Sequence, residues 1–170
     1  MTFIEDQIRQ AARKYLENDE VSCVIGFERD SRGRSRPVFI ESVDQVDRLV
    51  WGTDCNLNLA SYLHERKHSP SKDQPIPKTA VVLRPCDTRS INLLINEQQI
   101  VRDNVRIIGV SCERKEINGN LRTDCEYCQE RTPALYDDLV LTEAPIKIPD
   151  LADPYVDIDE MDQWTPEERL

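Results

Sequence analysis

Residues 79–112, TAVVLRPCDTRSINLLINEQQIVRDNVRIIGVSC, contain two apolar runs separated by a segment of helical periodicity. The runs are residues 79–83 and 105–110, and both are rich in β-branched residues, which is typical of buried strands. The segment between them predicts a helix over about residues 87–98. Its buried face is expected to hold Ile91, Leu94 and Ile95. Strand, helix and strand in this order predict a βαβ unit with parallel strands and a right-handed crossover.

The chain before this unit predicts helices and a hairpin. Thr2 and Glu5 have the spacing of a capping box, and apolar residues at helical spacing follow, so a helix is expected to end near Glu20. The segments that come next are a strand at residues 21–27, a turn at 30–36, a strand at 37–40, and helices at 42–50 and 56–67. Together these elements predict an α/β fold, a small three-layer domain with a partly parallel sheet over residues 1–140.

Residues 141–170 are expected to form an irregular acidic tail, or a linker to a module supplied elsewhere. Between Ile148 and Leu170 there are eight acids and one base, so this segment supplies seven of the ten net negative charges. The rest of the chain is close to neutral, and neither nucleic acid nor an anionic membrane is an expected partner.

The sequence also predicts a cytoplasmic location without insertion into a membrane. No apolar run approaches the roughly 18–20 residues that span a bilayer. The first residues, MTFIEDQ, carry acid where a signal peptide would carry base.

Six cysteines in a chain expected to be cytoplasmic favour metal binding or redox chemistry over disulfides. Cys86 follows the first strand of the βαβ unit and Cys112 follows the second. Because parallel strands end at the same edge of a sheet, these two thiols are expected to emerge close together, at the edge where α/β sheets place ligands. Cys125 and Cys128 form a C-x2-C pair that is close enough in sequence to return to that edge.

Four thiolates suit either a tetrahedral zinc site or an iron–sulfur cluster. The spacing of the four cysteines matches neither a zinc ribbon nor the run of a bacterial ferredoxin. Cys86 is expected near the start of a helix, where the helix dipole would lower the thiol pKa. The alternative interpretation is that Cys86 and Cys112 are small core residues.

Four other residues are assigned with less support from the pattern. Cys55 is a possible substitute ligand, whereas Cys23 lies in a predicted strand and is expected to pack in the core. Asp87 and Arg89 flank Cys86 and are candidate cofactor-binding residues, through hydrogen bonds or charge compensation. The alternative for this pair is an acid at a helix start and a surface base.

The pattern RPCDTRSI at residues 84–91, followed by GVSC at 109–112 and CEYC at 125–128, resembles the beta subunits of deazaflavin-reducing hydrogenases and dehydrogenases. Related domains occur in iron–sulfur oxidoreductases that accompany hydrogenases, formate dehydrogenases and heterodisulfide reductases. The resemblance continues through TPALYD at 132–137 and, more weakly, CNLNLASYL at 55–63, so it extends over most of residues 20–140.

The resemblance implies one [4Fe–4S] cluster on this domain and a role as an electron-transfer subunit. Its expected partners are other redox subunits that carry iron–sulfur clusters or flavin. In such proteins a ferredoxin-like module with two further clusters follows the domain. The 170 residues do not include that module. We therefore expect the chain to be either a shortened subunit whose partner supplies the other clusters, or a fragment of a longer chain. FAD or deazaflavin binding is implied by the resemblance alone, because no G-x-G-x-x-G or P-loop pattern is present. A structural zinc domain is the remaining alternative.

Overall fold

The computed structural model describes residues 2–63, 77–112, 115–117, 119–126, 128–141, 163–165 and 168. The strands within these ranges are β1 (Cys23–Arg29), β2 (Ser35–Ile40), β3 (Thr79–Leu83), β4 (Val105–Val110), β5 (Glu116–Ile117), β6 (Asn120–Leu121) and β7 (Asp138–Val140). The α-helices are α1 (Phe3–Glu17), α2 (Pro85–Asn96) and α3 (Thr123–Glu126). Five strands form one sheet in the order β2–β1–β3–β4–β7, and β5 pairs with β6 in a separate two-stranded sheet.

The five-stranded sheet is mixed but mostly parallel, which confirms the predicted α/β class. Only β2 is antiparallel to its neighbour, since it returns from β1 through a tight turn at Gly33, whose φ of 76° suits glycine. The pairs β1–β3, β3–β4 and β4–β7 are all parallel. All five residues of β3 are buried, as expected of a strand covered on both faces.

The βαβ unit is present as predicted. β3 and β4 have the predicted bounds, and they pair in parallel register from Thr79 opposite Val105 to Leu83 opposite Gly109. The intervening helix α2 begins at Pro85, two residues before the predicted start, because proline is well suited to the first turn of a helix. Ile91 of α2 is fully buried in the core.

Helix α1 begins with the predicted capping box. The Thr2 hydroxyl accepts from the Glu5 amide at 3.3 Å, and the Glu5 carboxylate accepts from the Thr2 amide at 3.0 Å. The helix buries Ile8, Ala12 and Tyr15, contacts four strands of the sheet, and ends at Glu17. The Tyr15 hydroxyl donates to Asp138, which connects the helix to the edge strand β7.

Several local predictions differ from the structure. The short helix predicted at residues 42–50 is a 3₁₀-helix at Val43–Arg48, which ends where Leu49 takes an extended backbone and is buried in the core. The helix predicted at residues 56–67 is present in part, as a 3₁₀-helix at Leu59–Leu63. Residues 64–67 lie outside the described residues. Most of the predicted acidic tail, including residues 142–162, also lies outside them.

Strand β7 was not predicted, because three residues are too few for a periodic pattern. Among the helices that the structure describes, none is both long and apolar enough to cross a membrane.

Candidate metal centre

Cys86 and Cys112 lie at the same edge of the sheet, as the parallel strands require. β3 ends at Leu83 and β4 ends at Val110, so each cysteine follows its strand by two or three residues. The two thiols are near enough that negative charge on Cys112 acts to raise the pKa of Cys86. Cys112 is buried, while Cys86 is exposed at the start of α2.

Backbone hydrogen bonds hold the later cysteine-bearing segment against this edge. The Cys112 amide donates to the Arg131 carbonyl at 2.9 Å, and the Arg122 amide donates to the Lys115 carbonyl at 3.1 Å. Cys125 is buried in α3, and Cys128 is half-buried with its sulfur 3.7 Å from the Glu130 carbonyl. All four predicted ligands therefore lie on segments connected to the same edge.

Gly109 of β4 allows this close packing. A side-chain carbon at Gly109 would lie 2.9 Å from side-chain carbons of Pro133 and Tyr136. The segment after Cys128 can cross β4 at this point only because glycine has no Cβ.

The prediction that the helix start lowers the Cys86 pKa is wrong. Although the residue is partly open to solvent, the surrounding protein removes water from the thiol, and the adjacent Asp87 carboxylate repels a thiolate. Lys115 opposes these effects, but the pKa of Cys86 rises to about 11. The Cys86 sulfur lies 3.5 Å from Asp87 Oδ1, so the thiol can donate to that carboxylate.

Asp87 and Arg89, the predicted cofactor-binding residues, are in different environments. Asp87 is buried and pairs with the buried Lys115, whose Nζ lies 3.1 Å from Oδ1. Arg89 is exposed and pairs with Glu130 at 2.5 Å, which joins α2 to the segment after Cys128. Lys115 was missed from the sequence, because a lone lysine in a polar stretch is typical of solvent-exposed surface.

Arg84 is a further residue of this edge that the sequence analysis did not single out. It is only 2% exposed, and its guanidinium donates from Nη2 to the Gly52 carbonyl at 2.5 Å and from Nε to the Cys55 carbonyl at 3.4 Å. Its Nη1 lies 4.0 Å from Cys112 Sγ. The guanidinium also stacks over the Trp51 ring at 4.5 Å.

Cys55 and Cys23 lie in different parts of the fold. Cys55 is fully buried, its carbonyl accepts from Arg84, and burial raises the pKa of its thiol to about 11. Cys23 is also fully buried but opens β1 opposite Thr79, the first residue of β3. It therefore belongs to the amino-terminal edge, away from Cys86 and Cys112. None of the six cysteines, all of which the structure describes, forms a disulfide.

The cysteine thiols have the donor chemistry of a metal centre, but they are not assembled as a metal site. Four cysteines on segments of one sheet edge are the donors that zinc or an iron–sulfur cluster requires. Within the described ranges, however, no group of three or more Cys, His, Asp or Glu side chains is arranged to hold a metal ion. Because thiols must lose protons and move together when they bind metal, such binding is commonly coupled to local folding.

No protein-family model matches the chain, and comparison with curated proteins gives no match.

Proposed function

We propose that the chain is an electron-transfer subunit or domain that binds one [4Fe–4S] cluster through Cys86, Cys112, Cys125 and Cys128. The observation that supports this proposal most strongly is the parallel pairing of β3 and β4, which brings Cys86 and Cys112 to one edge. The hydrogen bond from the Cys112 amide to the Arg131 carbonyl, which connects β4 to the segment after Cys128, also supports it.

A bound cluster would supply reversible one-electron chemistry, and the protein would hold it and set its reduction potential. The four thiols would bind as thiolates, so the raised pKa of Cys86 must be offset by the metal on binding. The chain's own contribution would be donors and charges around the sulfurs, which are strong determinants of cluster potential. In this proposal the protein acts in the cytoplasm with redox partner subunits that carry iron–sulfur clusters or flavin.

The first experiment is to purify the protein without oxygen and measure iron, acid-labile sulfide and zinc. About four irons and about four sulfides per chain, with an EPR signal after dithionite reduction, are expected. Zinc without sulfide, even after attempted reconstitution with iron and sulfide, would overturn the electron-transfer proposal and leave a structural metal domain.

Cysteine variants identify the ligands. Replacing Cys86 or Cys112 by serine is expected to abolish most cluster binding. Cys23→Ala is the matched control, because Cys23 is equally a buried cysteine but lies at the opposite edge of the sheet. Cys55→Ala and Cys128→Ser, compared directly, show which residue supplies the fourth thiolate. Retention of iron in Cys86→Ser and Cys112→Ser, at the level of Cys23→Ala, would refute the assigned ligand set.

A further inference from the structure

Arg131 is a buried arginine with two hydrogen-bond donors that lack acceptors. The residue is 8% exposed, and its Nε and Nη2 have no hydrogen-bond partner among the described residues. A guanidinium stays protonated inside a protein, so the cost of burial cannot be relieved by loss of the charge. Because buried donors without acceptors are rare in folded proteins, these two atoms indicate a group that binds to them.

The identity of the two atoms indicates the shape of that group. The N–H groups at Nε and Nη2 lie on the same side of the planar guanidinium and point in the same direction. Together they form a fork that binds two oxygens of a carboxylate or a phosphate through parallel hydrogen bonds. The side-chain chemistry therefore favours an oxyanion as the acceptor.

The carboxylates near Arg131 that the structure describes are already paired with other cations. Glu130, its neighbour in the chain, pairs with Arg89 at 2.5 Å. Asp87 pairs with Lys115, whose Nζ lies 3.1 Å from Oδ1. Neither carboxylate donates its charge to Arg131, so within the described ranges the guanidinium fork has no counter-ion of its own.

Arg131 also lies at the edge of the sheet where α/β proteins bind ligands. Its carbonyl accepts from the Cys112 amide at 2.9 Å, which places its backbone beside the carboxyl end of β4. Arg84, which follows β3, contacts the same cysteine, with Nη1 4.0 Å from Cys112 Sγ. Arg84 is 2% exposed, and its described partners are two carbonyls, this sulfur and the Trp51 ring. Two guanidinium charges near Cys112 thus favour an anion at this edge.

We propose that Arg131 binds an oxyanion, the carboxylate or phosphate group of a small molecule, at the carboxyl edge of β4. Nε and Nη2 would each donate to one oxygen of that group, and Arg84 would add positive charge near it. The inference does not depend on the proposed iron–sulfur cluster, because it rests on two donors of the chain that have no described acceptor.

Arg9 provides the matched control, because the same fork is satisfied there. Arg9 is 6% exposed, and both its Nε and its Nη2 donate to the Leu49 carbonyl, at 3.0 and 2.6 Å. Its Nη1 lies 3.9 Å from the Asp6 carboxylate. Arg9→Gln therefore removes a buried guanidinium without changing the proposed oxyanion site.

The test is isothermal titration calorimetry of the full 170-residue chain with sodium phosphate and, separately, with sodium acetate, at an ionic strength held constant with sodium chloride. At least one probe is expected to bind saturably, at about one anion per chain. The probe with the lower Kd shows whether the site prefers a phosphate or a carboxylate. At about 100 times that Kd, the unfolding temperature should rise by about 5–10 °C.

Arg131→Gln and Arg131→Lys test the fork itself. Both variants should weaken binding of the probe by at least about tenfold, because a hydrogen-bonded ion pair is lost in the first and the two parallel donors are lost in the second. Both should fold, as judged by circular dichroism, since the side-chain donors they remove have no described acceptor. Arg9→Gln should bind the probe with the wild-type Kd.

Two results would overturn the inference. Binding of neither probe would show that no free oxyanion reaches Arg131, as when a carboxylate from outside the described residues occupies the fork. Equal affinity in the wild type, Arg131→Gln and Arg131→Lys would show that the anion binds elsewhere. The cluster proposal fails separately: a chain that binds the anion but neither iron nor sulfide refutes only that proposal, and a chain that binds iron and sulfide but neither probe refutes only the oxyanion site.

Discussion

Removing either partner of the buried ion pair between Asp87 and Lys115 is expected to destabilise the metal-free protein strongly. Their side chains are 8% and 6% exposed, so each single substitution leaves an uncompensated charge away from water. Broken pairs of this kind cost about 3–5 kcal/mol. At about 2–4 °C per kcal/mol for a domain of this size, the loss in unfolding temperature is on the order of 10 °C.

The two single substitutions are not equivalent. In Lys115→Met the remaining Asp87 carboxylate lies in the first turn of α2, where the helix dipole stabilises a negative charge. In Asp87→Asn the Lys115 ammonium is left buried without that help. We therefore expect Lys115→Met to be the less costly change. The double variant should be more stable than the sum of the two losses predicts, by about 2 kcal/mol.

Urea denaturation followed by circular dichroism measures the three variants. Arg89→Gln, Glu130→Gln and their double variant form the control, because that pair is 65% and 47% exposed and is expected to contribute less than about 1 kcal/mol. If the Asp87 and Lys115 losses are additive within about 0.5 kcal/mol, the two charges are not coupled and the reasoning is refuted.

Three other predictions concern the Cys86 thiol, the packing of Gly109 in β4, and the stability of the fold at low pH. In the metal-free protein at pH 8, iodoacetamide should alkylate Cys86 several-fold more slowly than in the urea-unfolded chain. The raised pKa lowers the thiolate fraction, and the higher nucleophilicity of the more basic thiolate recovers only part of that loss. The rate should rise until about pH 11, and equal rates in the folded and unfolded chain at pH 8 would contradict the prediction. Gly109→Ala should lower the free energy of unfolding in urea by about 1–3 kcal/mol, because the added carbon would lie 2.9 Å from Pro133 and Tyr136. An unchanged midpoint would show that the segment after Cys128 does not cross β4 at Gly109. The hydrogen bond from Arg29 holds the pKa of Asp54 below its usual value. This pair therefore stabilises the fold above the unfolded-state pKa of about 3.9. The stabilisation is lost as the pH falls through the lower pKa that Asp54 has in the folded protein. Because both side chains are about 40% exposed, Asp54→Asn should cost less than about 1 kcal/mol at pH 7 and nothing at pH 2; a cost that is the same at both pH values would refute this assignment.

The sequence analysis was most accurate where structure depends on local pattern. The bounds of β3 and β4 were predicted to the residue, because a buried parallel strand is a continuous apolar run with polar ends. The capping box of α1 was also predicted correctly, because Thr2 and Glu5 are only three residues apart in the sequence. Where the pattern was short, as in Val43–Arg48, a helix was predicted but its bounds were too wide.

The candidate site was predicted only in part. That Cys86 and Cys112 share an edge follows from the parallel βαβ unit, and the structure has that unit. The pKa of Cys86 was predicted in the wrong direction, because the helix start was visible in the sequence while the desolvation of the thiol by surrounding protein and its contact with Asp87 were not. The assignment of the four cysteines as ligands stays a prediction.

By itself the sequence determined the strand–helix–strand unit, the helix cap and the placement of two cysteines after adjacent strands, since each depends on residues close together in the chain. Only the tertiary structure decided which cations are paired at that edge. Arg84 meets residues 29 and 32 positions earlier in sequence, and Lys115 meets Asp87 from 28 positions away. The position of β7 beside β4 was likewise decided by the tertiary structure, because β7 is too short to give a recognisable pattern in the sequence. Such contacts arise when distant segments pack against the sheet, and burial then fixes the electrostatic environment of each charge, which no local pattern records.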